Sequence, residues 1–203
     1  MTTHEVSIGP WRIEAKRDVF ENPWVKIVDH DVTHPDGSTG AYGVVRFKNI
    51  AVGVLPIDAA GRVSLVGQHR FPLDRYSWEL PEGGGHLDID PLESAKRELA
   101  EETGFTAASW APLSVFDISN SVTDERAACY LAWDLTEGAA SPDPSEALTV
   151  KWVSYRDLLE MVITGEITDS LTIVMALMAQ AKALRGEFPE PICSRLLAAA
   201  TRK

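Results

Sequence analysis

Apolar and polar residues alternate along the first quarter of the chain, a pattern that is typical of β-strands with one buried face. Residues 24–33 and 39–48 have this pattern on either side of a Pro-Asp-Gly turn sequence at 34–38. Because the turn joins the two segments directly, the sequence predicts an antiparallel hairpin. Residues 11–16 have the same character, and we expect them to form a third strand beside the hairpin.

Two apolar runs follow, at 50–57 and 62–71, and an Asp-Ala-Ala-Gly turn separates them. Their apolar residues are nearly continuous, which predicts central strands that are mostly buried. Three further segments, 113–118, 127–135 and 148–153, are candidate strands in the second half of the chain. The sequence therefore predicts strands both before and after the helix described next.

A helix is predicted from Asp90 to Thr103 because both of its ends carry local signals. Asp90 is a favourable N-cap residue, and Pro91 is well suited to the first helical position. Glu93 stands three residues after the cap, where its side chain can bond back to it. Gly104 accepts the left-handed conformation that commonly ends a helix.

Two more helical patterns, at 155–164 and 169–185, are each followed by a glycine. Between the last candidate strands, residues 136–147 form a loop that is rich in Gly, Pro and Ser, and loops of this length are often functional. Strands, a helix, more strands and further helices predict an α/β fold. We expect a mixed β-sheet with helices on both faces and an antiparallel β-sheet extension at the N-terminus.

Composition and charge narrow the possible partners. Of the 203 residues, 45% are hydrophobic, which is usual for a globular protein. The formal net charge of −11 would repel a phosphate backbone, so we expect no nucleic-acid partner. The start of the chain lacks the apolar core of a signal peptide and no stretch suits a membrane span, so we expect a cytoplasmic protein that does not enter a membrane. Cys129 and Cys193 have no metal-binding spacing and are expected to be buried and reduced.

Carboxylates are concentrated on one face of the predicted helix. Glu98 and Glu102 lie one turn apart, and Glu101 lies beside them. Like charges so placed repel one another, and only Lys96 and Arg97 stand near enough in sequence to compensate for them. A hard divalent cation with oxygen ligands is a natural counter-charge for this face. A solvated acidic helix face is the alternative interpretation of these residues taken alone.

Residues 83–105 resemble the Nudix box, G-x5-E-x7-R-E-U-x-E-E-x-G-U, in which U is a bulky apolar residue. Eight of its nine specified positions are present at the right spacing, and the exception is Ile89, which stands where the box has its first Glu. In the family that Glu supports the box arginine, here Arg97. Asp88 and Asp90 are the candidates to replace it.

The resemblance implies a magnesium site, with Mn2+ as a substitute. Glu98 and Glu102 would be direct ligands, Glu101 an additional or water-mediated one, and Glu82 a ligand through its carbonyl oxygen. Gly83 and Gly84, in the glycine-rich loop before the helix, would let the backbone approach a diphosphate because they carry no side chains.

Segments outside the box are similar to the ADP-ribose pyrophosphatase group. Within residues 67–85, Arg70 would match a phosphate-contacting arginine and Glu79 an acidic residue near the substrate. Residues 119–126 are similar to the loop that follows the box, with Glu125 at its acidic position.

The resemblance also implies which groups act in catalysis. Glu146 in the long loop would be the general base or a last metal ligand, with Glu125 as the alternative base. Glu101 and Arg97 are assigned to the catalytic set as well. A loop suits a base because it can open for substrate and close again.

Together these features predict Mg2+-dependent hydrolysis of the pyrophosphate bond of a nucleoside diphosphate sugar, with ADP-ribose cleaved to AMP and ribose 5-phosphate as the leading reaction. GDP-mannose or another nucleotide as substrate, and a non-catalytic nucleotide sensor, are the alternatives. We expect the partner to be a small-molecule substrate and the protein to be a homodimer. We expect residues 1–48 to serve dimerisation and substrate contact, 49–186 to form the Nudix hydrolase domain, and 187–203 to be a tail for which a helix is one option.

Overall fold

The computed structural model describes residues 6–141 and 147–198. Its strands, in chain order, are β1 (Val6–Ile8), β2 (Trp11–Glu21), β3 (Val25–Thr33), β4 (Thr39–Phe47), β5 (Asn49–Pro56), β6 (Arg62–Arg70), β7 (Arg75–Glu79), β8 (Glu82–His86), β9 (Phe105–Asp117), β10 (Arg126–Glu137) and β11 (Thr149–Ser154). Its α-helices are α1 (Pro91–Thr103), α2 (Tyr155–Ile163), α3 (Ser170–Leu184) and α4 (Glu190–Ala198). The chain divides into two compact units, Met1–Asn49 with Asp117–Arg126, and Ile50–Phe116 with Ala127–Lys203.

The first unit is built on an antiparallel sheet in the order β1-β2-β3-β4. The predicted hairpin is confirmed: Thr33 pairs with Thr39, and His34 N donates to Ser38 O at 2.7 Å across the turn. The predicted third strand is β2, which is longer than the sequence indicated. The segment Asp117–Arg126 joins this unit at β4, where Val45 N donates to Val122 O at 2.9 Å.

The second unit contains two sheets, in the orders β8-β5-β10-β9 and β11-β6-β7. β10 runs parallel to β5, whereas β6 is antiparallel to both of its neighbours. β5 and β6 are largely buried, as predicted, but they belong to different sheets. β9 begins at Phe105, directly after α1, rather than at residue 113 as the sequence suggested.

Helix α1 has the ends that the sequence predicts. The Asp90 side chain accepts a hydrogen bond from Leu92 N, and Gly104 adopts φ 76° at the C-terminal end. The expected bond from the Glu93 side chain back to the cap is wrong, because Glu93 Oε1 accepts instead from Lys96 Nζ at 2.7 Å. A nearby ammonium is a stronger partner for this exposed carboxylate than a backbone N–H group.

Helices α1 and α3 cover opposite faces of the β8-β5-β10-β9 sheet. Val52 and Val54 pack with Leu99 of α1 in a fully buried cluster. Gly53 lies between them and faces the other way, since a Cβ added there would stand 2.7 Å from Met175 Cε of α3. The predicted α/β fold, with a mixed sheet covered on both faces and an antiparallel N-terminal sheet, is confirmed. Among the residues described, no helix is long and apolar enough to cross a membrane.

We expect Leu99→Ala to lower the free energy of unfolding by about 2 to 5 kcal/mol, because Leu99 is fully buried and the change leaves a cavity against the sheet. Leu184→Ala is the matched control, since Leu184 is also helical and its side chain is 69% exposed. Urea unfolding followed by circular dichroism measures both. Equal losses in the two variants would contradict the assignment of Leu99 to the core.

Candidate active site

Side chains of helix α1 occupy the space where a Cβ would stand at two glycines of strand β8. A Cβ on Gly83 would stand 2.3 Å from Glu98 Cδ, and one on Gly85 would stand 2.6 Å from Ser94 Oγ. The glycines were predicted to form a loop, and this is wrong: they lie within β8, next to β5 in the sheet. Pairing in the sheet overrides the weak strand propensity of glycine here.

Two carboxylates of α1 converge on this strand. Glu102 Oε2 accepts a hydrogen bond from Glu82 N at 3.1 Å, and the Glu98 carboxylate occupies the space beside Gly83. Both side chains are largely buried although each ends in a carboxylate: Glu98 is 9% exposed and Glu102 is 5% exposed. The carboxylates of Glu98 and Glu102 therefore lie directly beside the backbone of Glu82 and Gly83.

Arg97 ties the same strand to the helix. Its Nη2 donates to Gly84 O at 2.8 Å and to Glu98 Oε1 at 2.6 Å, and its Nη1 donates to Glu101 Oε2 at 2.6 Å. Burial disfavours the charged guanidinium, but the charges of Glu98 and Glu101 outweigh that effect and raise the pKa of Arg97. The guanidinium is thus oriented by partners other than a carboxylate at position 89.

The residues proposed to replace the missing box Glu have other positions. Asp90 accepts from Leu92 N and is committed to the cap of α1. Asp88 is exposed. Ile89 itself is 45% exposed, so its side chain is not enclosed by a tightly packed apolar contact.

A second group of acids surrounds the side chain of Glu82. Carboxylate oxygens of Glu79, Glu82 and Asp169 all lie within 4.8 Å of one another. Arg70 contacts two of them: Nη2 lies 2.5 Å from Glu79 Oε2 and 3.1 Å from Glu82 Oε1, and Nε donates to Glu79 Oε1 at 3.0 Å. The Arg70–Glu79 pair therefore has the bidentate geometry that favours arginine over lysine.

Asp169 was not among the predicted site residues. Its side chain caps α3 by accepting from Thr172 N at 2.7 Å, and this local role fully accounts for an Asp at that position. The only sequence signal was an acidic cap, which many helices have. Its place beside Glu79 and Glu82 depends on the packing of α3 against the strands, as in the 2.8 Å hydrogen bond from Leu80 N to Thr172 Oγ1.

The acid group holds more negative charge than Arg70 balances. Burial, then the charges of Asp169 and Glu79, raise the pKa of Glu82 well above its usual range, and Arg70 only partly opposes them. Burial and the charges of Glu82 and Asp169 also raise the pKa of the Cys129 thiol to about 12. A thiol with such a pKa stays protonated and unreactive at neutral pH. Cys129 and Cys193 are both free and buried, as predicted.

Most of the predicted site residues lie together in the second unit. They are Arg70, Glu79, Glu82, Gly83, Gly84, Arg97, Glu98, Glu101 and Glu102. Glu125 belongs to the first unit, where its carbonyl accepts from Ile118 N at 3.0 Å and burial raises the pKa of its carboxyl group. Glu146 lies outside the described residues.

The chain that leads toward residue 142 is fastened to the C-terminal end of α1. Gly138 N donates to Gly104 O at 2.7 Å, and Ser141 N donates to Glu101 O at 3.0 Å. A Cβ on Gly104 would stand 2.8 Å from Gly138 O, so glycine is needed for this contact as well as for its positive φ. Ser141 is thereby held at the same end of the helix as Glu101 and Glu102.

Comparison with protein families agrees with this geometry. The NUDIX domain model matches residues 47–170, which is more than half of the chain, and the nucleoside diphosphate sugar hydrolase N-terminal domain model matches residues 11–45. The chain therefore belongs to the Nudix hydrolase family, as its resemblance to the Nudix box implied. Nudix hydrolases use a divalent metal, and the buried carboxylates of Glu98 and Glu102 beside the backbone of Glu82 fit such an ion in charge and ligand type.

Individual relatives cover much of the chain. It is 32% identical over 160 residues to the ADP-ribose pyrophosphatase of Bacillus subtilis (strain 168), covering 78% of this chain and 86% of the relative. It is 33% identical over 147 residues to the ADP-ribose pyrophosphatase of Mycobacterium tuberculosis, covering 70% of each chain. The methanol dehydrogenase activator of Bacillus methanolicus is 32% identical over 158 residues, covering 77% of this chain and 85% of the relative.

A crystal structure of an ADP compounds hydrolase has the same fold. The two structures superpose with a TM-score of 0.76, covering 86% of this chain and 94% of the other, at 18% sequence identity. At that identity the similarity supports the architecture rather than a particular substrate.

We expect Ile89→Glu to leave hydrolysis unchanged or faster and not to lower the melting temperature. The change restores the carboxylate that the Nudix box has at this position, and it removes a side chain that is 45% exposed and therefore not tightly packed. Leu87→Glu is the control, because it adds the same charge to the same turn at a residue that is 67% exposed. A large loss of thermal stability in Ile89→Glu alone would mean that the turn depends on an apolar contact of Ile89.

Proposed function

We propose that the protein hydrolyses the pyrophosphate bond of a nucleoside diphosphate sugar, and that ADP-ribose, cleaved to AMP and ribose 5-phosphate, is its leading substrate. The observation that carries this proposal is the meeting of the Glu98 and Glu102 carboxylates with the backbone of Glu82 and Gly83. Two relatives that are ADP-ribose pyrophosphatases, each at least 32% identical, support the choice of substrate.

Glu98 and Glu102 would hold Mg2+, together with the carbonyl oxygen of Glu82 and with Glu101 as an additional or water-mediated ligand. Mn2+ would substitute for it. When bound, the metal neutralises phosphate charge and lowers the pKa of a water molecule, which is the chemistry that pyrophosphate hydrolysis needs. Glu98 and Glu102 suit this role because both carboxylates are largely buried and lie against the backbone of Glu82 and Gly83.

The remaining residues position the substrate and the ligands. Arg97 holds Glu98 and Glu101 in place through its two charge-assisted bonds and fixes Gly84 through its carbonyl oxygen. Gly83 and Gly84 would allow the diphosphate to approach the backbone. Arg70 would contact a phosphate, and Glu79 orients the guanidinium for that contact.

Proton removal from the attacking water is assigned to Glu146, with Glu125 as the alternative. The contact between Ser141 and the end of α1 supports Glu146, because it holds the last described residue before the loop at the end of the helix that carries Glu101 and Glu102. Glu125 has a raised pKa, which is favourable for a base that must work near neutral pH.

A substrate screen tests the proposal. Purified protein with Mg2+ is incubated separately with ADP-ribose, GDP-mannose, UDP-glucose, NADH and nucleoside triphosphates. Released monophosphates are then detected through the inorganic phosphate that an added phosphatase frees from them. Fastest turnover of ADP-ribose supports the proposal. Faster turnover of GDP-mannose would replace the substrate but keep the reaction, whereas no turnover of any compound would contradict the reaction itself.

Glu98→Gln and Glu102→Gln should each lower kcat by roughly two orders of magnitude or more, because each removes a charged metal ligand. Glu93→Gln is the matched control on the same helix, since Glu93 is exposed and pairs only with Lys96 among the described side chains. Steady-state kinetics at saturating Mg2+ and circular dichroism of each variant separate catalysis from folding. Wild-type kcat in either variant would exclude that residue as a ligand.

Glu146→Gln should lower kcat by about 10² to 10⁴ with little change in KM, as expected for the loss of a general base. Glu125→Gln should have a much smaller effect. The two variants are compared under the same Mg2+ and substrate conditions. If the large loss follows Glu125→Gln instead, the base lies in the segment Asp117–Arg126 and the assignment to Glu146 is wrong.

The protein is also proposed to be a cytoplasmic homodimer in which residues 11–48 pack on the partner subunit. Val19, Phe20 and Trp24 of the first unit have exposed fractions of 64%, 51% and 65%, and side chains of this size are usually covered. The two free, buried cysteines are consistent with a reducing compartment. Sedimentation at micromolar concentration should give a dimer, and Phe20→Ser with Trp24→Ser should give a monomer. A monomeric wild-type protein would contradict the proposal.

A further inference from the structure

Three carboxylates from three different elements lie close together at the start of strand β8, the strand that carries the glycines. Glu79 ends β7, Glu82 begins β8, and Asp169 caps α3. One oxygen from each lies within 4.8 Å of the others. Ligands of an octahedral Mg2+ with bonds of about 2.1 Å stand roughly 3 to 4 Å apart, so a small inward movement would give all three oxygens the spacing of one ion.

The positive charge near these three carboxylates does not balance their negative charge. Arg70 makes three hydrogen bonds to Glu79, two from Nε and one from Nη2, and a single one to Glu82 Oε1 at 3.1 Å. Asp169 is engaged through Thr172 N, which is a neutral donor. One guanidinium therefore faces three carboxylates, and a buried group of acids with two uncompensated charges needs a further cation or a change in protonation.

An independent observation indicates where that cation belongs. Glu82 Oε2 is fully buried, the Glu82 side chain as a whole is only 12% exposed, and no donor in the described part of the chain bonds to this oxygen. Asp169 is its neighbour in the acid group and, when ionised, has no proton to donate. A buried carboxylate oxygen without a donor is costly unless a proton shared with Asp169 or a bound cation satisfies it, and Mn2+ titration distinguishes the two.

We propose that Glu79, Glu82 and Asp169 bind a divalent cation that is separate from the ions assigned to Glu98 and Glu102. Its ligands would be hard oxygens, which favours Mg2+, Mn2+ or Ca2+ over softer metals. The site lies in the second unit alone and does not depend on which nucleotide sugar the protein cleaves.

This cation would act on the active site through Glu82. The same residue offers its side chain to the acid group and its backbone N–H to Glu102 Oε2, at 3.1 Å. The cation would also hold Asp169, and with it the start of α3, against the strands. Its expected effect is therefore to order the start of strand β8, which carries Gly83 and Gly84, so Glu79 and Asp169 are positioning residues rather than catalytic ones.

The test is a titration of the full-length protein with MnCl2, without nucleotide, in which free Mn2+ is measured by electron paramagnetic resonance. Asp169→Asn removes the charge but keeps the cap of α3, because Asn also accepts from a backbone N–H group. Glu166→Gln is the matched control, since it removes one exposed acid three residues away. We expect Asp169→Asn to bind one Mn2+ fewer per chain than the wild type, or to bind it at least tenfold more weakly, and Glu166→Gln to match the wild type.

A second background separates this site from the box glutamates. In the double variant Glu98→Gln with Glu102→Gln, one Mn2+ should still bind and should raise the melting temperature, and adding Asp169→Asn should abolish both effects. Glu79→Gln provides the same comparison if Asp169→Asn fails to fold. Equal Mn2+ binding with and without Asp169 and Glu79 would overturn the proposal. The substrate screen is unaffected by that result, so failure here and failure of the proposed hydrolysis are distinguishable.

Discussion

The close contact between strand β8 and helix α1 is the constraint on which the site depends. At Gly83 and Gly85 the side chains of Glu98 and Ser94 occupy the positions where a Cβ would stand, so these arrangements depend on the glycines. The contact brings Glu102 to the backbone of Glu82 and brings Arg97 to the carbonyl of Gly84. Without this contact, the carboxylates would only form an acidic face on α1, and the glycines would only be part of a strand.

This contact places acids where electrostatics disfavours them, and the structure meets that cost with two arginines. Arg97 bridges Glu98, Glu101 and Gly84, while Arg70 bridges Glu79 and Glu82. Both are well suited to the task because a guanidinium presents several donors in a fixed plane. The compensation is incomplete around Glu82, whose pKa is raised by burial and by neighbouring acids. An incompletely balanced, buried set of oxygens is the environment that hard divalent cations occupy.

Features that depend on local signals could be predicted from the sequence. The capped ends of α1 at Asp90 and Gly104 and the spacing of its glutamates are such features. The strand conformation of Gly83 to Gly85 could not be, because it follows from β8 lying beside β5, far away in sequence. Asp169 was missed for a similar reason: its capping role explains the residue locally, and only the packing of α3 brings it to Glu79 and Glu82.

The most direct test of the central claim is anomalous X-ray scattering from crystals of the protein grown with MnCl2 and a non-hydrolysable methylene analogue of ADP-ribose. The account predicts a Mn2+ peak within coordination distance of carboxylate oxygens of Glu98 and Glu102 and of the Glu82 carbonyl oxygen, bridged to the diphosphate. A diphosphate bound without Mn2+ at these three groups, or Mn2+ bound only elsewhere on the chain, would contradict it.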